Sequence, residues 1–430
     1  MARIKARAVA ATIATLMVTA GAAPPTATAA VPSSFTITGS GFGHGVGMPQ
    51  YGAYELSRRG ATALEILDHY YTNTRARFRD TPPIVAVQLF GPSPYGSTGG
   101  DTATSTTATI DGGRWRVRGP KGVTIVQGIG GRTLTFSTSG TQASVTFAGR
   151  TWLRSSLLLE WAGTRYFKPG GNKAVVSIRG THGEYRHGRM RIAARQGVPN
   201  IVNDLRLNTE YLYGIAEMPS SWGLTWGARA LRAQAITARS YALTKMDARK
   251  WSCGCHVVDD VRDQNFSGWL KENEGGGYYG AVWKAAVDKT TRSITNGRVL
   301  TYGGTPVAAH YFSSSGGRTA NSEDVWSSVV PYERSVSDPY SLEAPGNSYV
   351  SWDRTMTQTR ARALFGLPDV AQIRVTARYV SGQVKTIVGT SSTGETKAIT
   401  GKADTLRAQI GAHTTVGSLP SAWISKTTNN

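Results

Sequence analysis

EYLYGIAEMPSSW (residues 210–222), followed by ARALRAQAITARSYAL (228–243), places a lone carboxylate in an apolar run just before a long alanine-rich segment. Glu217 stands between Ile215, Ala216, Met218 and Pro219, with Trp222 close behind. Burial beside apolar groups disfavours the charged form of a carboxyl and raises its pKa. A carboxyl tuned in this way can hold a proton at neutral pH and donate it. The plainer alternative is an acid near a helix N-terminus that stabilises the dipole. The segment that follows reads as a helix, with Leu231, Ala235, Ala238 and Ala242 on one face, small enough to pack closely on a neighbour.

Outward from this stretch, both periodicities occur. Residues 61–74 (ATALEILDHYYTNT) carry apolar positions at helical spacing, and residues 283–296 read as a further helix. Between 84 and 180 the chain reads as all-β: IVAVQLF, RWRVRG, VTIVQGI, RTLTFS, SVTFAG and AVVSI are short apolar or alternating runs between Gly, Ser and Thr turns. Residues 91–109 look like a loop. VLTYGG and PVAAHYF (299–312) suggest strands around a tight turn, and QIRVTARYV and VKTIVGT (372–390) suggest two more. The expected class is α+β. The expected divisions are a leader at 1–29, a docking segment at 30–83, a β-rich lobe at 84–180, a mixed core at 181–425 and a frayed tail at 426–430.

The leader reading rests on Arg3, Lys5 and Arg7, an apolar stretch at 8–23 and a small-residue Ala27-Thr28-Ala29 step, the pattern of a secretory signal peptide. No later run is long enough to span a membrane, so a secreted, wall-associated protein is expected. The formal net charge of +21 implies a polyanionic neighbour. Export argues against nucleic acid and for an anionic wall polymer. The chain has two cysteines, Cys253 and Cys255, followed by His256. A one-residue spacer makes a disulfide between them strained. It is also shorter than the usual spacing of zinc ligands. Structural or weakly bridged thiols, with no tightly held zinc, are therefore expected.

Three blocks resemble one known family. EYLYGIAEMPSSW with ALRAQAITARSYAL, HYFSSSGGRTANSEDVW (310–326), and GHGVGMPQYGAYELSRRG with ILDHYYTNT (43–60 and 66–74) are similar to the signatures of the SpoIID/LytB family, associated with bacterial peptidoglycan. Its best-known members are lytic transglycosylases that cut glycan strands stripped of stem peptides; others enhance an N-acetylmuramoyl-L-alanine amidase. The resemblance implies that Glu217, in the E-M-P step, is the catalytic acid. It implies substrate contacts from Gln234, Arg239, Ser240 and Tyr241 on the helix, and from Gln264 in the D-Q-x-F-x-G stretch. It implies the same for His310, Tyr311 and the Ser313-Ser314-Ser315-Gly316-Gly317 turn. His44 and Gln50 belong to the Gly-rich block. In the best-known members that block follows the Ser-rich turn; here it comes first, as in a circular permutation. Residues 41–71 should therefore fold back beside residues 313–317 and Glu217.

A lytic transglycosylase can work with one carboxylate, here Glu217 as acid on the leaving oxygen and then as base, because its nucleophile is the substrate's own 6-hydroxyl on N-acetylmuramic acid, whereas most glycosidases need two. Asp259, Asp260 and Asp263 read as solvated loop acids rather than a second catalytic group. The absence of G-x-S-x-G and H-E-x-x-H argues against common serine hydrolases and zincins. No cofactor is expected. The expected partners are glycan strands, with anionic wall polymers and a wall amidase as further candidates. The alternative from another class is a non-catalytic wall-binding module that activates such an amidase.

Overall fold

The computed structural model describes residues 31–430 apart from 97 and 98; the leader expected at 1–29 lies outside these residues. Its class is α+β, as the mixed periodicities predict. Two antiparallel sheets form the β-rich part. One runs, edge to edge, Val257–Val258, Ile84–Phe90, Val198–Arg206, Met190–Arg195, Leu157–Trp161, Arg114–Arg118 and Thr124–Ile129, with only the first pair parallel. The other runs Arg150–Arg154, Gln142–Phe147, Arg132–Ser139, Ser105–Gly112, Ala174–Ile178 and Glu184–Tyr185. Their inward residues, among them Trp115, Val117, Leu134, Phe136, Val145, Leu159 and Ile192, share one core, the sandwich solution for two half-apolar sheets. The lobe therefore does not end at 180, since Met190–Arg195 and Val198–Arg206 lie in the same sheet as Ile84–Phe90. The loop expected at 91–109 ends in strand Ser105–Gly112, whose Thr-rich sequence hides an alternating burial of Thr106, Ala108 and Ile110.

The alanine-rich stretch forms helix Ala228–Thr244, buried almost all round. Helices Gln50–Arg58, Ala63–Tyr70 and Tyr278–Asp288 and strand Asn296–Tyr302 pack against it. Alanines permit this close packing on several sides, where one Leu-rich stripe would face a single neighbour. The helix expected at 283–296 ends at Asp288; the chain then turns into strand Asn296–Tyr302, which pairs with Arg75–Asp80. The turn that follows is tight as expected, but Tyr311–Phe312 leaves that sheet and pairs with Met48–Pro49.

Residues 352–424 build a second core around Met356, Leu364, Ile387, Leu406 and Ile410, completed by Phe35 and Ile37 from the other end of the chain. Strand Ser34–Ser40 lies between Trp352–Thr357 and Trp423–Asn429. The tail expected to fray at 426–430 is instead an edge strand, held because its backbone groups pair with Phe35–Ser40. The strands expected near 372–390 are present, joined by a third, Thr396–Thr400.

Cys253 and Cys255 form a disulfide, contrary to the expectation from their spacing. Gly254, at φ +63°, adopts the left-handed conformation that brings the two Cα atoms to 5.2 Å. The bonded pair is buried against Ala86 and Val202.

The Gly-rich turn does fold back as expected. Phe42 bridges Ser314, Val46 bridges Ala320, and Met48 pairs with Tyr311. At Gly47 (φ +79°) a Cβ would collide with the His310 carbonyl oxygen. Gly47→Ala should therefore lower the stability of the fold by about 1–3 kcal/mol. Urea denaturation monitored by tryptophan fluorescence measures it; an unchanged midpoint would mean the turn and the strand do not meet as described.

Candidate active site

A cleft of about 710 Å³ opens where the Gly-rich turn, the Glu217 segment, the 261–263 loop, residues 310–313 and helix Ala403–Ala412 meet. Glu217 lies on its wall in a short irregular stretch between a π-turn, Leu207–Tyr211, and a 3-10 turn, Ser220–Leu224. The backbone there is held on several sides. Ala216 N–H donates to the Asn265 carbonyl (2.8 Å), and the Asn265 side chain donates back to the Ala216 carbonyl (3.0 Å). Gln50 Nε2 donates to the Glu217 carbonyl (3.1 Å), and the buried Lys271 ammonium donates to Met218 (2.7 Å). Such bracing holds a side chain in place without using its own polar atoms.

The carboxyl of Glu217 accepts from the backbone N–H of Asn265 at 2.7 Å, and the Tyr311 hydroxyl stands beside it as a second donor to its charged form. Burial raises its pKa above the ordinary glutamate value, and these two donors only partly offset that. Tyr311 is placed by a directed chain. The Tyr211 hydroxyl donates to Gln264 Oε1 (2.8 Å), and Gln264 Nε2 donates to the Tyr311 oxygen (2.9 Å). With its oxygen occupied as acceptor, the Tyr311 hydroxyl has its proton free for Glu217.

The other residues expected at the site separate into two groups. Tyr241, His310, Tyr311, Ser313 and His44 line the cleft with Glu217. Gln50 and Gln264 act from behind it. Arg239 is wholly buried, bonded to Asn208 (2.7 Å), Thr290, Thr291 and the Arg298 carbonyl, and burial pulls its pKa down to about 9. Ser240 donates to Ile236 and accepts from Leu300 N–H, tying the helix to the strand. Gln234 is fully buried, and neither of its amide atoms has a partner among the described residues. Ser314 and Ser315 are buried too, Ser315 against Asp338 and Ser341. Gly316 and Gly317 shape the turn beside them, and a Cβ at Gly316 would strike Trp423.

Both ring nitrogens of His44 are engaged. Val46 N–H donates to Nδ1 (3.1 Å), and Nε2 donates to the Tyr311 carbonyl (3.1 Å). Burial, with His310 nearby, lowers its pKa to about 3, so the ring is a neutral brace.

Sequence reading missed several contributors. Asp263 is no solvated loop acid: it accepts from Tyr241 (2.9 Å), Tyr95 (2.6 Å) and Val258 N–H (2.8 Å) at the edge of the cleft. Asp259 is buried as well, and burial drives its pKa well up. Asn265 stands beside the Gln264 that the motif flagged, and only the folded strand pairing shows that its backbone serves Glu217. Trp326 and the Asp404–Arg407 pair close the far side, and no sequence motif pointed to the latter two. Among the described residues, no three His, Cys, Asp or Glu side chains converge as a metal site. His256 Nδ1 accepts from Ala86 N–H, and its pKa is lowered to about 4, chiefly by burial.

Residues 195–302 match the family model described as SpoIID, Stage II sporulation protein. Over this quarter of the chain the sequence is similar to the SpoIID family. It is similar to Stage II sporulation protein D of Bacillus subtilis (strain 168), 33% identical over 162 residues, 35% of this chain and 43% of the relative. The protein of the same name from Bacillus amyloliquefaciens is 29% identical over 234 residues, 51% of this chain and 64% of the relative. The amidase enhancer of Bacillus subtilis (strain 168) is 36% identical over 126 residues, 29% of this chain and 14% of the relative. The chain thus spans less than two thirds of the length of each of these SpoIID/LytB relatives. The matched range contains Glu217 and Gln264, whereas His310, Ser313 and the Gly-rich turn lie outside it and join the site only in the fold.

A carboxyl whose folded-state pKa is raised contributes stability that is present below its unfolded pKa and is lost as pH rises through the folded value. Glu217→Gln keeps an acceptor for Asn265 N–H but cannot ionise. The variant should melt above wild type at neutral pH, with the difference closing as pH falls below the ordinary glutamate range. Thermal melts across pH measure this, and equal melting temperatures throughout would mean Glu217 is not strained in its ionised form.

Proposed function

We propose that this protein acts outside the cell on peptidoglycan as a lytic transglycosylase, with Glu217 as the acid. The SpoIID family match and the relative named amidase enhancer support a cell-wall role. The observation that carries the enzymatic reading is Glu217 itself, a partly buried carboxyl with raised pKa, facing an open cleft and braced from behind. The cleft walls are largely aromatic. Phe42, tilted against Tyr349 with ring centroids 4.4 Å apart, together with Phe312 and Trp326, offers faces suited to sugar rings. Ser313 and Tyr241 add hydroxyls for orientation.

In this reading Glu217 protonates the glycosidic oxygen as it leaves. The 6-hydroxyl of the same N-acetylmuramic acid residue, already held close by its own ring, closes on the sugar carbon and gives its proton back to Glu217, which acts here as base. The product is an anhydro-muramic end, and no water is consumed. Asn265 N–H and Tyr311 stabilise the glutamate while it is ionised between the two transfers. The net charge of +21 suits residence among anionic wall polymers. The second reading, activation of a wall amidase, takes its support from the amidase-enhancer relative.

Incubation of the purified protein with intact and with denuded peptidoglycan, followed by mass spectrometry, tests the proposal. Anhydro-muramic ends should appear, and Glu217→Gln should slow their release by about 100- to 10,000-fold with the fold intact. Absence of such ends, or an equally active Glu217→Gln, would refute the enzymatic reading. Faster amidase digestion in the presence of the Glu217→Gln protein would then favour the second.

A further inference from the structure

The geometry points to His310 as the base that takes the proton of the substrate's 6-hydroxyl, with Glu333 as its positioning residue. This rests on the glycan-cleavage reading and assigns to a second group the role that Glu217 would otherwise perform alone. His310 Nδ1 meets Glu333 Oε1 at 2.8 Å, and the backbone N–H of His310 donates to the same oxygen at 3.0 Å. Glu333 is fully buried and has no Lys or Arg partner among the described residues. A buried carboxylate with one imidazole beside it fixes the tautomer, with Nδ1 carrying the proton and Nε2 bearing the lone pair. The ring is held on its other sides by Trp326, 4.8 Å between centroids, and by Tyr241, 5.8 Å. Its backbone carbonyl is fixed by the Tyr71 hydroxyl at 2.6 Å.

The unused nitrogen opens on the cleft. His310 lines it together with Glu217, and its side chain is 31% exposed. Among the described residues no protein group bonds Nε2, and it is not among the buried unpartnered atoms. The contrast with His44 in the same cleft is direct: that ring has both nitrogens occupied. An oriented imidazole with an acceptor facing the substrate, backed by a buried carboxylate, is the arrangement of a general base.

The step balances without any further reactant. As the bond from the sugar carbon to the leaving oxygen breaks, Glu217 gives that oxygen its proton and becomes a carboxylate. The 6-oxygen forms its bond to the same carbon, and its proton passes to His310 Nε2. The imidazolium so formed is neutralised by Glu333. Return of this proton to Glu217 through the solvent of the open cleft restores both groups.

The experiment follows release of anhydro-muramic ends from denuded glycan by the full chain. His310→Ala should lower kcat by about 100-fold or more with KM little changed, and added imidazole should restore part of the lost rate. Glu333→Gln, which keeps an acceptor for the His310 backbone, should lower kcat less, again with KM little changed. Thermal melts confirm that each variant is folded. A rise in KM at constant kcat would make His310 a binding residue. Loss of rate that imidazole does not restore would likewise overturn the assignment. Failure of wild type to release anhydro ends would refute the glycan-cleavage reading and this assignment together; wild-type release with an unaffected His310→Ala would refute this assignment alone.

Discussion

The approach of the Gly-rich turn to the backbone of residues 310–320 is the contact on which the site depends. Glycines at 41, 43, 45 and 47 all have positive φ, so the turn coils past a strand that side chains would hold off. The pairing brings His44 under Tyr311 and lets Gln50 reach the Glu217 carbonyl. Because Ser34–Ser40 is fixed in the C-terminal sheet and Met48–Pro49 in the central part, the turn also joins the two hydrophobic cores. Helix Ala403–Ala412 thereby supplies the far wall of the cleft, including Arg407.

Around this contact the site shows a division between polar groups that face the cleft and polar groups that hold them. Unpaired buried polar atoms are costly, and nearly every buried one near Glu217 is spent on bracing. Arg239, Ser240 and Ser315 join elements; Tyr211 and Gln264 orient Tyr311; Glu333 orients His310. Gln234 stays unpaired among the described residues, and Glu217 is kept between burial that favours its proton and two donors that favour its charge. That balance suits a group that must give up a proton and afterwards tolerate being ionised.

The local signals carried a large part of the architecture. The alternating runs at 114–118, 132–139 and 174–178 are strands in the structure, because a half-buried sheet imposes period two on its residues, and the apolar run at 84–90 is a strand buried on both faces. The stretch 228–244 is a helix, and its small alanines, buried on nearly every side, let neighbours pack close all round it. The apolar setting of Glu217 and the three motif blocks were likewise legible in the chain. Strand Ser105–Gly112 was not, because its alternation is built from threonines that also suit loops. The short helix at 278–288 was overextended, because nothing in its sequence marks the stop that the tertiary sheet imposes.

The sequence by itself determined most element types, the apolar setting of Glu217 and the resemblance carried by three motif blocks, since these are written in local chemistry: side-chain size, spacing and the cost of a charge among apolar neighbours. Only the tertiary structure decided which polar residues face the cleft and which are buried behind it. Gln264 and Asn265 are neighbours in the chain, yet one serves Glu217 through Tyr311 and the other through its backbone. Arg239 and Tyr241 stand two residues apart on one helix, yet one is entombed and the other lines the cleft. Cys253 and Cys255 pair because Gly254 folds left-handed within a buried setting. Such assignments depend on what packs against each face, and that is a property of segments hundreds of residues apart, which no local pattern encodes.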